Sequence, residues 1–352
     1  MKILTMVSIA LILTLAAGAQ TNSYTVTPIV NNTQDPYLVN PWGMSRPASS
    51  GKTENEWWVS DNVTGYTTLY YANQTGSQSL APLVIAIPSA SGIGRGTPTG
   101  TAYNPAVGPG PGPQNFTFVS QDGTISNWNT GQKPSQAGRG CYQCHVNSTT
   151  VMVNNSGSGA SYTGLALATN ATSKQATYYA ANHSSGAVEA YNATTFDPVQ
   201  LSGTFTDSKL PAGYRPYGVQ AIGTDIVVTF YNDISGGYVD AFDTNGNLKV
   251  RLPQGSFSQP WGVTIAPSNF GVFSNTLLVA NATSGWIAAF SMKTGGFEGF
   301  LEDPSGDLIT IPGIWGIEFG DGNAESGPTT TLYYSAGGSA YATGVFGAIT
   351  AN

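Results

Sequence analysis

The chain has 352 residues, of which only 9% are charged, and a formal net charge of −7 with a pI near 4.7. That balance argues against nucleic acid and anionic membranes as partners, because both are recognised through basic surfaces. With 40% hydrophobic residues the chain can bury a core, which argues against disorder, and its wealth of Gly, Thr, Val and Tyr points to β-structure.

In chain order, the first element is a leader. Lys2 precedes an apolar run, Ile3 to Leu15, and then Ala17-Gly18-Ala19. A charged start, a short apolar stretch and an A-x-A site read as a signal peptide over 1–19, with a mature chain beginning near Gln20. The apolar run is too short to span a bilayer, and no later segment approaches that length. A secreted, extracellular product without membrane insertion is expected.

Residues 20–352 then read as one repeating domain. A short strand carrying a Gly recurs as PWGM (41–44), PTGT (98–101), YTGL (162–165), PYGV (216–219), PWGV (260–263) and IWGI (314–317). Each is followed by a second apolar run, such as WWVSD (57–61) or TLLVAN (276–281), and a third, such as GAVEAY (186–191) or GWIAAF (285–290). A fourth strand is expected at 81–88, 149–153, 198–205 and 247–252. Units of roughly 45–60 residues with three or four strands each indicate a β-propeller. The fold class expected is all-β, a six-bladed β-propeller in a single domain. The Gly of each first strand, here called A, suits the crowded axis where six backbones converge, and Trp42, Trp261 and Trp315 read as packing between blades.

The second unit carries an insertion, at about 130–148. It contains Cys141-Tyr142-Gln143-Cys144-His145, which holds both cysteines and one of the two histidines of the chain. C-x-x-C-H is the attachment signature of a c-type haem. Two thiols three residues apart can each bond a porphyrin vinyl group, and the adjacent imidazole then becomes an axial ligand. One covalent haem c per chain is expected. Two alternatives stay open: a Cys141–Cys144 disulfide in a haem-free matrix or adhesion protein, and a zinc site, for which the remaining ligands are few.

The third unit holds the other histidine, His183, at the end of its second strand. Candidates for the sixth ligand of the iron are His183, Met44, Met152 and Met292, and His183 is favoured as the only other imidazole. Asn31, Asn62, Asn73, Asn115, Asn147, Asn154, Asn170, Asn182, Asn192 and Asn281 stand in N-x-S/T sequons and are glycosylation candidates.

The phrases NPWGM, WVSDNVTG, LPAGYRPYGVQAIG, VDAFDTNGNL, PWGVTIAPSNFGVFSNTLLVAN and IWGIEFGDG resemble an exported, largely uncharacterised bacterial family of NHL-like β-propellers. The likeness covers nearly the whole mature chain and implies fold far better than function. In that family the stretch between the third and fourth strands of blade two is short and lacks a haem motif, whereas here it is extended. Where the family resembles YAANF, this chain reads YAANH, ending in His183.

These readings lead to an electron-transfer protein and to no catalytic residues. A gluconolactonase-like metal hydrolase is the enzymatic alternative, but no carboxylate cluster gathers at the leading ends of the A strands, and Glu318 stands alone on one of them. Topology adds an expectation about assembly. His183 lies in a turn between second and third strands (B–C), and the haem motif in a loop between third and fourth (C–D), so the two start from opposite faces. Either the loop wraps around the blade, or His183 of one molecule ligates the haem of the next, giving an open head-to-tail homopolymer. Redox partners are not legible.

Overall fold

The computed structural model describes residues 21–47, 55–105, 115–129 and 147–352. The described chain begins with β1 (Tyr24–Asn31) and then lays down six sheets in succession. The first holds β2 (Pro41–Ser45), β3 (Trp57–Asp61), β4 (Tyr66–Tyr70) and β5 (Leu80–Ala86). The second holds β6 (Pro98–Tyr103), β7 (Asn115–Ser120), β8 (Thr124–Asn129) and β10 (Thr150–Asn154), while β9 (Asn147–Ser148) pairs on the outer edge of the first. The third has three strands, β11 (Tyr162–Thr169), β12 (Ala176–Asn182) and β13 (Ala187–Asn192). The fourth has β14 (Arg215–Ile222), β15 (Asp225–Tyr231), β16 (Tyr238–Asp243) and β17 (Leu248–Arg251). The fifth has β18 (Pro260–Ile265), β19 (Thr276–Asn281), β20 (Ile287–Ser291) and β21 (Phe297–Phe300). The sixth has β22 (Ile314–Phe319), β23 (Thr331–Ala336) and β24 (Val345–Ala351), with β1 as its outermost strand. The chain is a six-bladed β-propeller.

The ring is closed covalently at neither end but by pairing. β1 runs antiparallel to β24, from Tyr24 opposite Ala351 to Asn31 opposite Val345. Inside, the A strands β2, β6, β11, β14, β18 and β22 contact one another in a circle. Their glycines are what permit this. A Cβ on Gly43 would meet the Thr99 carbonyl, on Gly100 the Leu165 amide, and on Gly164 the Val219 amide. Gly218, Gly262 and Gly316 would meet the carbonyls of Trp261, Trp315 and Trp42 in turn, which completes the circuit.

Apolar clusters fill the gaps between neighbouring blades. Trp58 of the first blade stacks on Phe116 of the second at 3.9 Å between ring centroids. Tyr179 of the third packs with Phe230 and Phe242 of the fourth around Phe205. A sheet that is apolar on both faces can bury them only between two others, so the blades stabilise one another. One expected strand is missing. The run 198–205 forms only a single bridge, Tyr191 to Pro198, because Pro198 lacks an N–H to donate and Phe205, at φ +53°, turns its ring into the cluster between blades.

Candidate functional site

Strand direction gives the molecule two ends. The B–C turns and the starts of the A strands lie at one; the A–B turns and the ends of the A strands lie at the other. At the B–C end the axis is filled. Trp42 stacks on Trp315 at 3.9 Å, and Trp261 meets both edge-on at about 6 Å. Tyr217, Tyr231 and Tyr341 complete the plug. Burial holds the Tyr217 phenol well above its ordinary pKa, so it stays neutral, while the Gln259 amide donates to it at 2.9 Å. The repeated tryptophans are therefore packing groups that close this end.

His183 stands at the rim of the plug. It follows β12, its ring meets Tyr217 edge-on at 5.1 Å, and its side chain is 12% exposed. Nδ1 lies 3.0 Å from the Pro216 carbonyl oxygen. A carbonyl can only accept, so Nδ1 carries a proton and donates to it. Nε2 lies 3.0 Å from each of the two carboxylate oxygens of Asp233. Asp233 is 65% exposed and occupies the corresponding turn of blade four at φ +62°. An Nδ1–H held by a backbone carbonyl is the arrangement that orients an imidazole for a metal at Nε2.

Cys141, Cys144 and His145 lie outside the described residues, as do residues 1–19, where a leader is expected. The described ends of the inserted segment are informative. It leaves β8 at Asn129 and returns at β9, where Asn147 and Ser148 pair in parallel with Ile85 and Ala86 of β5. The Thr149 amide adds a 3.0 Å bond to the Ala86 carbonyl. The insertion thus starts in blade two and comes back on the outer edge of blade one. Of the methionine candidates, Met44 is buried on β2, while Met152 and Met292 are exposed on outer parts of blades two and five.

The sequons divide by burial. Asn62, Asn115, Asn170, Asn182 and Asn281 are buried. Asn182 Nδ2 donates to Glu189 at 2.7 Å, Asn170 Nδ2 to the Thr244 carbonyl at 2.8 Å, and Asn62 Nδ2 to Gln121 at 3.0 Å. A glycan needs that nitrogen in solvent. Asn62, Asn182 and Asn281 each begin a B–C turn and are followed two residues later by Thr or Ser, so those sequons are a by-product of turn chemistry. Asn73 and Asn154 are exposed, and Asn31 and Asn192 half-buried.

Among the described residues, the open end of the axis is the other one. A funnel of about 470 Å³ is lined by Met44, Arg46, Leu165, Gln220 and Glu318 among others, and narrows into a throat that stops at Trp261. Sequence reasoning looked at the leading ends of the A strands and so missed it. The signal was present in Trp42, Trp261 and Trp315, whose bulk fills that end and leaves space at the far one. Arg46 holds Asp321 at 3.2 Å and Glu318 at 3.6 Å. Burial raises the Glu318 carboxyl above the usual carboxylate value, opposed by Arg46 and reinforced by Asp321. Among the described residues, no group of three or more His, Cys, Asp or Glu is placed to hold a metal ion, and no helix is long and apolar enough to cross a membrane.

No protein-family model matches the chain. It is 26% identical over 308 residues to uncharacterised protein L690 of Acanthamoeba polyphaga mimivirus, covering 80% of this chain and 74% of that protein. Proteins R640 and R648 of the same virus, also uncharacterised, are 32% and 28% identical over 120 and 124 residues. Those matches take in 31% and 32% of this chain, which spans only 22% and 31% of their lengths. Among solved structures, a glucose dehydrogenase superposes with a TM-score of 0.57 at 13% identity, over 93% of this chain and all of that one. A luciferin-regenerating enzyme gives 0.55 at 11% identity, over 93% and 95% of the two chains. A virginiamycin B lyase from Staphylococcus aureus gives 0.52 at 11%, over 93% and 99%. The likeness is one of fold. The propeller implied by the repeats and by the resemblance is the architecture observed.

Proposed function

We propose that the chain is an exported c-type cytochrome on a propeller scaffold, carrying one haem c bound through Cys141 and Cys144. His145 is one axial ligand and His183 the other. The carrying observation is the setting of His183, whose Nδ1 is anchored by the Pro216 carbonyl while Nε2 lies against the exposed carboxylate of Asp233. With a haem bound, His183 Nε2 would be given to the iron in place of Asp233, whose side chain is already 65% exposed. The group supplies one-electron redox chemistry, and closing both axial positions suits electron transfer over oxygen chemistry. The aromatic plug behind His183 holds Tyr217 and Trp315 rigidly and keeps water from the ring.

The pairing is between chains. β9 is the fifth strand of its sheet, four spacings outward from β2, or about 19 Å at ~4.8 Å each. His183 sits two blades away against the axial plug. Only two peptide steps join His145 to Asn147, a reach of about 7 Å. This favours His183 of a neighbour over His183 of the same molecule, which would make a head-to-tail homopolymer. Asn182, beside His183, is buried, so no glycan is expected at this junction.

The test is spectroscopy of native protein with His183→Ala beside it. Low-spin, bis-imidazole resonance signals are expected in the wild type and absent from the variant, with haem still covalently bound. Unchanged signals in His183→Ala would overturn the ligand assignment. Monodisperse monomers carrying six-coordinate bis-histidine haem would overturn the polymer.

A further inference from the structure

The funnel at the A–B end has a mixed lining, with apolar Leu165, Leu167 and Ala221 beside polar Arg46, Gln220 and Glu318. Its volume falls within the range that holds small organic ligands. Arg46 is committed: Nε and one terminal nitrogen donate to the Phe319 carbonyl at 3.3 and 2.8 Å, and the other terminal nitrogen faces Asp321 at 3.2 Å. Glu318 differs. Its closest positive charge is Arg46 at 3.6 Å, beyond hydrogen-bond distance, and its side chain keeps 28% exposure inside the funnel. Among the described residues, one guanidinium stands against the two carboxylates of Glu318 and Asp321, which leaves an excess of negative charge at the funnel. Glu318 also reaches the throat, where Gln220 and Thr101 stand beside it.

We propose that this funnel binds a small organic ammonium ion, with Glu318 as its counter-charge, Gln220 as a second hydrogen-bonding partner, and Leu165 against its apolar body. An acidic ligand fits less well because the carboxylates of Glu318 and Asp321 already outnumber Arg46, and a purely polar one because much of the lining is hydrocarbon. Burial disfavours the ionised form of Glu318, and a cation arriving at 3 Å reverses that preference. The site is independent of the haem reading, since none of its residues belongs to the proposed ligand set.

Titration calorimetry on the native full-length protein tests it with three probes of one shape: benzylammonium, benzyl alcohol and benzoate. Benzylammonium is expected to saturate one site with a Kd of about 1 mM or tighter. Benzyl alcohol and benzoate should bind at least tenfold more weakly. Glu318→Gln should lose tenfold or more for benzylammonium and nothing for benzyl alcohol. Ala221→Phe, which fills the funnel without touching Glu318, should abolish binding and serves if Glu318→Gln does not fold. Absence of saturation at ~10 mM, equal affinity for all three probes, or undiminished binding in either variant would overturn the proposal.

Discussion

Gly43→Ala tests the convergence of the six A strands. An ideal Cβ at Gly43 falls 2.5 Å from the Thr99 carbonyl oxygen and 3.0 Å from both Gly100 Cα and the Thr101 amide nitrogen. Ordinary contact begins near 3.4 Å, and all three neighbours are backbone, so β2 and β6 must separate by about 1 Å. They cannot separate freely, because β2 is also packed against β22 on its other side. Overpacking of this kind destabilises by about 1–3 kcal/mol and sometimes more, and the absence of any flexible side chain in the contact argues for the upper part, near ~3 kcal/mol. For a chain of this length that is a fall of about 5 °C in Tm. The control is Gly157→Ala, where an added Cβ meets nothing within 4 Å and the change should stay within about 0.5 kcal/mol. Thermal melts followed by circular dichroism, with urea midpoints beside them, give the comparison. A Gly43→Ala protein that melts with the wild type would refute the converging ring.

Asp240, fully buried on β16, has its carboxyl pushed from 3.8 up to about 7, by burial first and then by Asp207, with Arg251 opposing. A raised folded value means stability that is complete below the unfolded pKa of 3.8 and is lost as pH rises through about 7; at ~1.4 kcal/mol per unit the ceiling is roughly 4 kcal/mol. Urea midpoints should therefore fall between pH 5 and pH 8 in the wild type and fall much less in Asp240→Asn; parallel slopes would contradict this. For assembly, electron microscopy and light scattering should find filaments in the wild type and dispersed, haem-bearing protomers in His183→Ala. Filaments that persist in that variant would place the junction elsewhere.

The blades were legible because their punctuation repeats: a Gly in each A strand, then β-branched and aromatic runs at even spacing. The closing strand was not. β1 (Tyr24–Asn31) belongs to the last blade but lies at the other end of the chain, so no local period announces it, and only closure of the ring requires it. The run 198–205 misled in the opposite direction, because its apolar residues plug the gap beside Phe242 without forming a ladder. At the candidate site, sequence supplied His183 but not its partners. Pro216 and Asp233 come from the next blade, and their meeting is a product of packing between sheets. Glu318 was visible as a lone carboxylate on an inner strand; that it faces an open funnel with Arg46 depends on which end of the axis the tryptophans fill.

The central claim is covalent haem at Cys141 and Cys144, and the absorption spectrum of the natively produced protein, taken with its denatured mass, tests it most directly. The account predicts a coloured protein whose Soret and α/β bands stay with the polypeptide through denaturation and acid extraction, with a mass greater than the mature sequence by one haem, and loss of both in the Cys141→Ala, Cys144→Ala double variant. A colourless native protein whose mass matches the bare chain with a Cys141–Cys144 disulfide would contradict it.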